Sequence, residues 1–170
     1  MSNTQLQNKR FLKQLNAHKG FTLIELLVVI TIIATLAVVV FVALNPGQRL
    51  KDARDARRTS DVDSILTAIH QAIVDNKGSA SASLVAAEQQ LGTSPSGCAI
   101  ATGGCSVVAG ACLDLSTALS KYLKTLPIDP TGGLTFTSGK TGYSAAIDNN
   151  GIVTVKACGT EGTNNIVSSR

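Results

Sequence analysis

One carboxylate, that of Glu25, lies near the start of a long apolar segment, Phe21 to Leu44, which contains no other charged side chain. As a helix this segment would be roughly 36 Å long, enough to cross about 30 Å of bilayer hydrocarbon. A charged carboxylate costs about 2.5–3.5 kcal/mol at the bilayer centre and less near an end. That cost indicates a partner for Glu25; the simpler alternative is that its side chain reaches the lipid headgroups.

Cysteines are the second group of residues with a defined chemistry. All four lie C-terminal to the apolar segment: Cys98, Cys105, Cys112 and Cys158. Their spacing contains no CxxC pair and the two histidines are His18 and His70, so disulfides are favoured over a zinc site. Sequence alone leaves all the connectivities of four cysteines open.

The composition does not indicate an enzyme. Neither paired carboxylates nor a nucleophile elbow stand out, and the Gly-rich segment 92–110 lacks the Lys-Ser/Thr ending of a phosphate loop. The formal net charge of +4 arises before Phe21, where four cations occur without an acid: Lys9, Arg10, Lys13 and Lys19. The rest of the chain is balanced, so the basic character fits a targeting segment better than a nucleic-acid surface. No cofactor is predicted.

The apolar segment continues into an amphipathic one, and together they predict a long helix over residues 21–77. Pro46 lacks an N–H and Gly47 adds backbone freedom, so we expect a kink or local melting near residues 42–47. Beyond this point apolar residues recur at helical spacing and predict a stripe that packs on a core. The stripe comprises Leu50, Ala53, Ala56, Val62, Ile65, Leu66, Ile69, Ala72 and Ile73.

Residues 78–170 predict a small head of helices and strands. Segments 80–91 and 114–126 have helical composition, and 92–112 predicts a loop. Three alternating segments then predict strands: Leu134–Thr137, Tyr143–Asp148 and Ile152–Lys156. Asn150-Gly151 predicts a hairpin turn between the last two. The predicted fold class is α+β, with the long helix packed on a head that contains a three-stranded antiparallel sheet.

The stretch from Gly20 to Leu27, GFTLIELL, follows the basic leader and resembles the class III signal of type IV pilins and type II secretion pseudopilins. The resemblance extends over residues 19–75. Tyr122–Gly133 is also similar to the segment that introduces the sheet in pseudopilin-like proteins, and the looser similarity runs over 120–157.

The resemblance assigns roles to three residues. It implies that a membrane peptidase cleaves after Gly20 and that Phe21 becomes the N-methylated first residue. It further implies that Glu25 pairs with the Phe21 amine of a neighbouring copy during assembly. The alternative is that Glu25 pairs with the amine of its own chain. The leader of 20 residues is longer than in many members, and Pro46 lies further along than their usual helix-weakening proline.

Two expectations about the head also come from the resemblance. Family pilins often tie their last segment to the sheet with a disulfide, which implies the pairs Cys112–Cys158 and Cys98–Cys105. Some pseudopilins bind calcium in sheet-side loops, where this chain offers the oxygen ligands Asp129, Asp148, Asn149 and Asn150. Asp148–Gly151 is more simply explained as a turn, so no metal is predicted.

The resemblance implies a structural subunit with three parts. These are a leader (1–20) removed by the prepilin peptidase, a helix (21–77) whose segment 21–44 enters the membrane and then the filament core, and a head (78–170). The implied partners are other copies in a helical filament, the prepilin peptidase and methylase, the assembly platform with its ATPase, and the cytoplasmic membrane before assembly. The implied final location is a cell-surface pilus.

Three alternatives stay open. The chain would also suit a pseudopilin of a type II secretion-like piston, or a single-pass membrane protein with a receptor-like head. The third is a DNA-uptake or adhesive minor pilin, for which basic residues follow the apolar segment: Arg49, Lys51, Arg54, Arg57 and Arg58. Aspartates interleave with these cations, so ion pairs within the protein explain them better than phosphate contacts.

Overall fold

The computed structural model of the chain describes residues 20–79, 84–130 and 136–170. The chain divides into two compact units, Met1–Asn45 and Pro46–Arg170. The first contains helix α1 (Leu23–Leu44). The second contains helix α2 (Pro46–Asp75) and strands β1 (Gln89–Gln90), β2 (Tyr143–Ile147), β3 (Val153–Ala157) and β4 (Ile166–Ser169). The predicted α+β class, an apolar N-terminal helix followed by a small head with an antiparallel sheet, is confirmed.

Helix α1 begins with a reciprocal cap between Thr22 and Glu25. Thr22 Oγ1 accepts the N–H of Glu25 at 3.2 Å, and the Glu25 carboxylate accepts the N–H of Thr22 at 2.9 Å. This capping box satisfies N–H groups that an α-helix leaves unpaired in its first turn. The 22 residues of α1 include no buried side chain. Among the described residues, α1 supplies the apolar stretch that is long enough, by length and composition, to cross a membrane.

The helical backbone is interrupted at Asn45, which adopts a left-handed conformation with φ 40° and ψ 68°. Asparagine tolerates this region better than most residues with a side chain. Pro46 is the first residue of α2, where its missing N–H leaves no intrahelical bond unmade. The interruption at Asn45 lies within the predicted stretch 42–47, one residue before Pro46 and Gly47, which are both helical.

Helix α2 packs against β3 and β4. Its buried residues lie on one face and are Arg58, Val62, Ile65, Leu66, Ala68, Ile69 and Ala72. The predicted stripe is confirmed from Val62 onward but is wrong before it, because Leu50 is 61% exposed and Ala53 and Ala56 are also exposed. In this part of the helix the residue that enters the core is Arg58.

The sheet has four antiparallel strands in the order β1-β2-β3-β4. Strands β2 and β3 pair from Tyr143↔Ala157 to Ile147↔Val153, which confirms two of the predicted strands to within one residue. One face of the sheet contributes Tyr143, Ala145, Val153, Val155 and Ala157 to the core, where they meet the buried face of α2.

The remaining predicted strand, Leu134–Thr137, is described only at its last two residues, and these do not join the sheet. Residues 131–135 lie outside the described residues, and Thr137 forms only an isolated bridge with Lys140. The sheet is completed instead by β1 and β4, on either side of the β2–β3 hairpin.

The two short helices predicted in the head are also wrong where the structure describes them. Residues 84–91 contain no helix, and 114–126 contain turns over residues 116–122 but no α-helix. Residues 84–91 are not helical because they pair with the edge of β2. Tyr143 O accepts the N–H of Leu91 at 2.7 Å, and Ile147 N donates to Val85 O at 3.1 Å. Pairing with this edge satisfies backbone groups near the core and overrides helix propensity.

Candidate functional site

The junction between Gly20 and Phe21 lies immediately before the cap of α1 and is open to solvent. Both residues are non-helical, and Phe21 is 82% exposed. A Cβ added to Gly20 would meet no heavy atom of the described residues within 4 Å. Exposed, non-helical backbone of this kind is accessible to a peptidase. The predicted cleavage position is thus sterically available.

Within the part of the chain that the structure describes, one oxygen of the Glu25 carboxylate accepts hydrogen bonds and the other does not. Oε2 accepts both the N–H of Thr22 at 2.9 Å and the Thr22 hydroxyl at 2.8 Å. Oε1 accepts no hydrogen bond from any described residue. Thr22, which the sequence reasoning did not single out, therefore orients the carboxylate while leaving one oxygen available to a cation. The signal was present in the sequence, because Thr-x-x-Glu before an apolar run is a capping-box pattern.

In the second unit, Arg58 and Asp129 form a fully buried ion pair. Arg58 Nε donates to Asp129 Oδ2 at 2.8 Å and Nη2 donates to Asp129 Oδ1 at 2.7 Å, and neither side chain is exposed. Burial opposes the charge on Arg58, but the paired hydrogen bonds to Asp129 outweigh it and raise the pKa of Arg58 above its usual value. Nη2 also donates to Pro130 O at 3.0 Å. The pair joins α2 to the chain segment before β2.

The same cluster holds the loop between β3 and β4 against α2. Arg58 Nη1 donates to Asp55 at 2.8 Å and to Glu161 at 3.2 Å, and Arg54 Nη2 donates to Glu161 at 2.7 Å. The carboxylate of Asp55 accepts the N–H of Glu161 at 3.2 Å and that of Gly162 at 2.8 Å. Two cations and two carboxylates thus share a network that fixes residues 161–162.

Glu161 makes the stability of this network depend on pH. The hydrogen bond from Arg54, helped by Arg58, lowers the pKa of Glu161 from 4.5 to about 2. The folded state therefore binds fewer protons than the unfolded state between these values, and stability falls as the pH is lowered through them. We expect Glu161→Gln to be less stable than the wild type at pH 6 and to lose less stability between pH 4.5 and about 2.

The measurement is denaturant unfolding of the full chain in a non-ionic detergent at several pH values. Asp63→Asn is the matched control, because Asp63 is exposed and forms no ion pair within the described residues. Its pH profile should follow that of the wild type. Parallel profiles for Glu161→Gln and the wild type would contradict the role given to Glu161.

A second polar cluster joins β2, β3 and the loop that contains Cys105. Glu88 Oε1 accepts the Ser144 hydroxyl at 2.6 Å, and Oε2 accepts Lys156 Nζ at 2.9 Å and the N–H of Ser106 at 3.1 Å. Burial opposes the charge on Glu88, but these hydrogen bonds outweigh it and lower the pKa of Glu88. On the other side of the sheet, burial and the hydrogen bond to Asp61 raise the pKa of Tyr143.

The disulfides differ from those that the resemblance implied. The bonds are Cys98–Cys112 and Cys105–Cys158, with Cα–Cα distances of 5.2 and 5.3 Å. The pairing of Cys98 with Cys105 is wrong because a small hairpin separates them: Ile100 and Val107 exchange backbone hydrogen bonds at 3.0 and 2.9 Å. This hairpin returns the chain so that Cys112 meets Cys98, while Cys105 reaches Cys158 after β3.

The five basic residues after Asn45 differ in whether they form ion pairs. Arg54 and Arg58 are engaged in the network around Glu161, and Arg57 forms a longer pair with Asp61 at 3.7 Å. Arg49 and Lys51 form no ion pair with any described residue. The structure therefore leaves a much smaller group of free cations than the five considered for phosphate contacts.

The oxygen-bearing residues considered for calcium are not brought together. Asp129 is buried beside Arg58, and its N–H binds Thr141 O, before the start of β2. Asp148 lies beyond the opposite end of β2, where it accepts the backbone N–H groups of Asn150 and Ile152. Within ranges 20–79, 84–130 and 136–170, no group of three or more His, Cys, Asp and Glu side chains could hold a metal ion.

Comparison with known proteins adds one positive finding. Residues 15–41 match the family model of the prokaryotic N-terminal methylation motif. No curated protein and no solved structure matches the chain. The motif is the class III signal of type IV pilins, which are structural proteins rather than enzymes. It spans the exposed Gly20–Phe21 junction, the capping carboxylate of Glu25 and most of α1, whose apolar character fits a membrane anchor. The match is confined to residues 15–41, so it shows that this N-terminal segment is similar to the class III signal of type IV pilins.

Proposed function

We propose that the chain is the precursor of a type IV pilus subunit, which is cleaved after Gly20, methylated at Phe21 and polymerised through α1. The observation that carries the proposal is the methylation motif at residues 15–41. The exposed Gly20–Phe21 junction supports the cleavage step, because a peptidase can reach it without unwinding the helix. In this proposal the head lies on the extracytoplasmic side of the membrane until the subunit enters the filament.

Glu25 is the assembly residue in this proposal. Cleavage gives Phe21 a new amine, which carries a positive charge at neutral pH. The free Oε1 of Glu25 is available to the Phe21 amine of a neighbouring subunit, while Thr22 holds the other oxygen. Such a pair removes the cost of an isolated carboxylate in the membrane and sets the register between two helices. The exposed apolar surface of α1 then packs against its neighbours instead of lipid.

The mass of the mature chain in native cells tests the processing step. Intact mass spectrometry, combined with sequencing of the N-terminal peptide, should find a chain that begins at methylated Phe21. A mature population that keeps Met1 or residues 2–20 would overturn the proposal and leave a plain membrane-anchored protein. Deletion of the gene separates the two filament classes: loss of surface filaments supports a pilus, whereas a secretion defect with filaments retained assigns the chain to a pseudopilus.

Substitution of Glu25 tests the assembly step separately from processing. We expect Glu25→Ala to be cleaved after Gly20 and yet to remain in the membrane fraction, since its neighbour's amine has no partner. The readout is the fraction of subunit in sheared filaments, measured together with the mass of the membrane-bound chain. Asp63→Asn, which also removes one exposed carboxylate, is the control and should assemble. Normal filament yield from Glu25→Ala would contradict the assigned role.

A further inference from the structure

We propose that Asn150 is a site of spontaneous deamidation through a cyclic imide formed with Gly151, and that Asp148 slows this reaction in the folded head. This inference concerns the turn between β2 and β3. It goes beyond filament assembly and does not depend on it.

The turn is built differently from the two-residue hairpin that Asn-Gly predicts. Gly151 N donates to Asp148 O at 3.1 Å, and Asp148 N donates to Ile152 O at 3.0 Å. Gly151 has φ 83°, whereas Asn149 and Asn150 both have negative φ. These features describe a type I turn followed by a left-handed glycine rather than a type I′ turn. Asn150 therefore precedes a glycine that the turn geometry itself requires.

The reaction uses only groups present in this turn and solvent water. The backbone nitrogen of Gly151 attacks Cγ of Asn150, so an N–Cγ bond forms. The Cγ–Nδ2 bond then breaks, and Nδ2 leaves as ammonia with the proton from the Gly151 amide. Water opens the cyclic imide at either carbonyl, which yields aspartate or isoaspartate. A Cβ added to Gly151 would meet no described heavy atom within 4 Å, so there is space around the nitrogen for the ring.

Asn150 differs from the other described asparagines in the residue that follows it. Asn149, Asn150 and Gly151 are all exposed. Asn45 precedes Pro46, which has no N–H to form the imide. The remaining described asparagines precede residues with side chains, which hinder attack by the following nitrogen: Asn76, Asn149, Asn164 and Asn165. Asn150 is the one described asparagine that a glycine follows.

Asp148 restrains both reacting groups. Its Oδ1 accepts the N–H of Asn150 at 2.8 Å and that of Ile152 at 2.8 Å, and its Oδ2 accepts Nδ2 of Asn150 at 3.4 Å. The attacking nitrogen of Gly151 is meanwhile bound to Asp148 O. Attack requires these contacts to break, so the folded turn reacts more slowly than the same sequence in a free peptide.

The products would loosen the turn that protected the asparagine. Aspartate at position 150 places a second carboxylate beside that of Asp148. Asn150 Nδ2 lies 3.4 Å from Asp148 Oδ2, and two negative charges this close repel each other. Isoaspartate inserts an additional carbon into the main chain between Asp148 and Gly151. Either product weakens the end of the β2–β3 hairpin, so the modified turn should exchange its amide hydrogens faster than the unmodified one.

The test is an ageing experiment on the full chain in detergent at neutral pH. Trypsin releases Thr141–Lys156 as one peptide that contains Asn149 and Asn150 but no cysteine. Mass spectrometry with fragmentation should show a gain of about one dalton at Asn150, as separate aspartate and isoaspartate forms, while Asn149 in the same peptide stays unmodified. A synthetic Thr141–Lys156 peptide should convert several-fold faster, and Asp148→Ala should bring the protein's rate towards that of the peptide.

Each alternative outcome overturns a stated part of the inference. If Asn150 in the full chain stays intact while the synthetic peptide converts completely, Asn150 is not a modification site of the folded protein. A product that contains aspartate without isoaspartate would exclude the cyclic imide. Equal rates for the wild type and Asp148→Ala, with far-UV circular dichroism unchanged, would remove the protective role of Asp148. This experiment does not measure processing or assembly. Its result therefore neither supports nor contradicts the proposed pilus function.

Discussion

Replacing Arg58 with methionine is expected to lower the free energy of unfolding of the Pro46–Arg170 unit by about 3–5 kcal/mol, the usual effect of breaking a buried ion pair. Arg58 and Asp129 are both fully buried, and methionine would leave the Asp129 carboxylate without its bidentate partner. It would also leave the side chains of Asp55 and Glu161 with one cation fewer. The size of the effect comes from the charges that remain rather than from the contacts that are lost.

Tyrosine fluorescence provides the measurement, because the chain has two tyrosines, Tyr122 and Tyr143, and no tryptophan. Both lie in the second unit, so denaturant unfolding in detergent reports this unit while α1 stays in the micelle. Arg57→Met is the matched control: its side chain is 64% exposed and lies 3.7 Å from Asp61. Surface changes of this kind alter stability by within about 0.5 kcal/mol.

A double-mutant cycle separates the ion pair from loss of packing. Asp129→Asn in the Arg58→Met background removes the remaining buried charge with little change in shape, so it should recover part of the lost stability. If the double variant is as unstable as the sum of the two single variants, the Arg58–Asp129 interaction does not carry the effect. Equal stability of Arg58→Met and Arg57→Met would contradict the buried pair itself.

Sequence reasoning reached the N-terminal site because its signals are local. The glycine, the glutamate and the apolar run lie within one short stretch, and the capping box that orients Glu25 uses residues three apart. Strands β2 and β3 could also be predicted from the sequence, since alternating side chains and Asn150-Gly151 indicate them without long-range information. Local physical rules suffice where both partners of an interaction are near in sequence.

The missed elements depend on partners far away in sequence. Gln89–Gln90 has the composition of a helix and becomes a strand because the edge of β2 needs hydrogen-bond partners. Ile166–Ser169 is short and half polar, and it forms β4 because Ile166 and Val167 pair with Ala157 and Lys156. The residues of these two segments do not by themselves indicate that they pair with β2 and β3. Propensity and periodicity therefore do not predict β1 or β4.

Arg58 could have been found from the sequence, whereas its partners could not. It lies four residues before Val62 and seven before Ile65, on the face that those residues bury, and this spacing places it in the core. A cation in that position requires a buried acid. The chain offers several, and only the fold shows that the acid is Asp129, 71 residues away.

Loss of the Cys105–Cys158 bond is the second large effect that we expect. The bond closes a loop with a sequence separation of 53, for which the chain-entropy relation gives about 4 kcal/mol of stabilisation. The Cys98–Cys112 bond has a separation of 14, and the same relation gives about 3 kcal/mol. Cys105→Ala/Cys158→Ala should therefore unfold at a lower denaturant concentration than Cys98→Ala/Cys112→Ala, although each variant removes one bond.

The location of each bond makes this difference larger than loop length alone implies. Cys105–Cys158 ties the hairpin at Ile100–Val107 to the end of β3, whereas Cys98–Cys112 closes the base of that hairpin on itself. Hydrogen exchange should thus increase throughout residues 98–112 in the first variant and mainly near residues 98 and 112 in the second. Equal unfolding midpoints, together with the same exchange pattern, would mean that the bond to Cys158 does not hold the hairpin.

The single variant Cys98→Ala tests the pairing on which this comparison rests. It should leave the thiol of Cys112 free to alkylate, whereas the pairing implied by family resemblance would leave that of Cys105 free. Trypsin does not cut between these residues, because residues 78–120 contain no Lys or Arg, so fragmentation of the alkylated peptide must locate the label. A label on Cys105 would show that the cysteines pair as the resemblance implied, and the predicted order of the two double variants would then lose its basis.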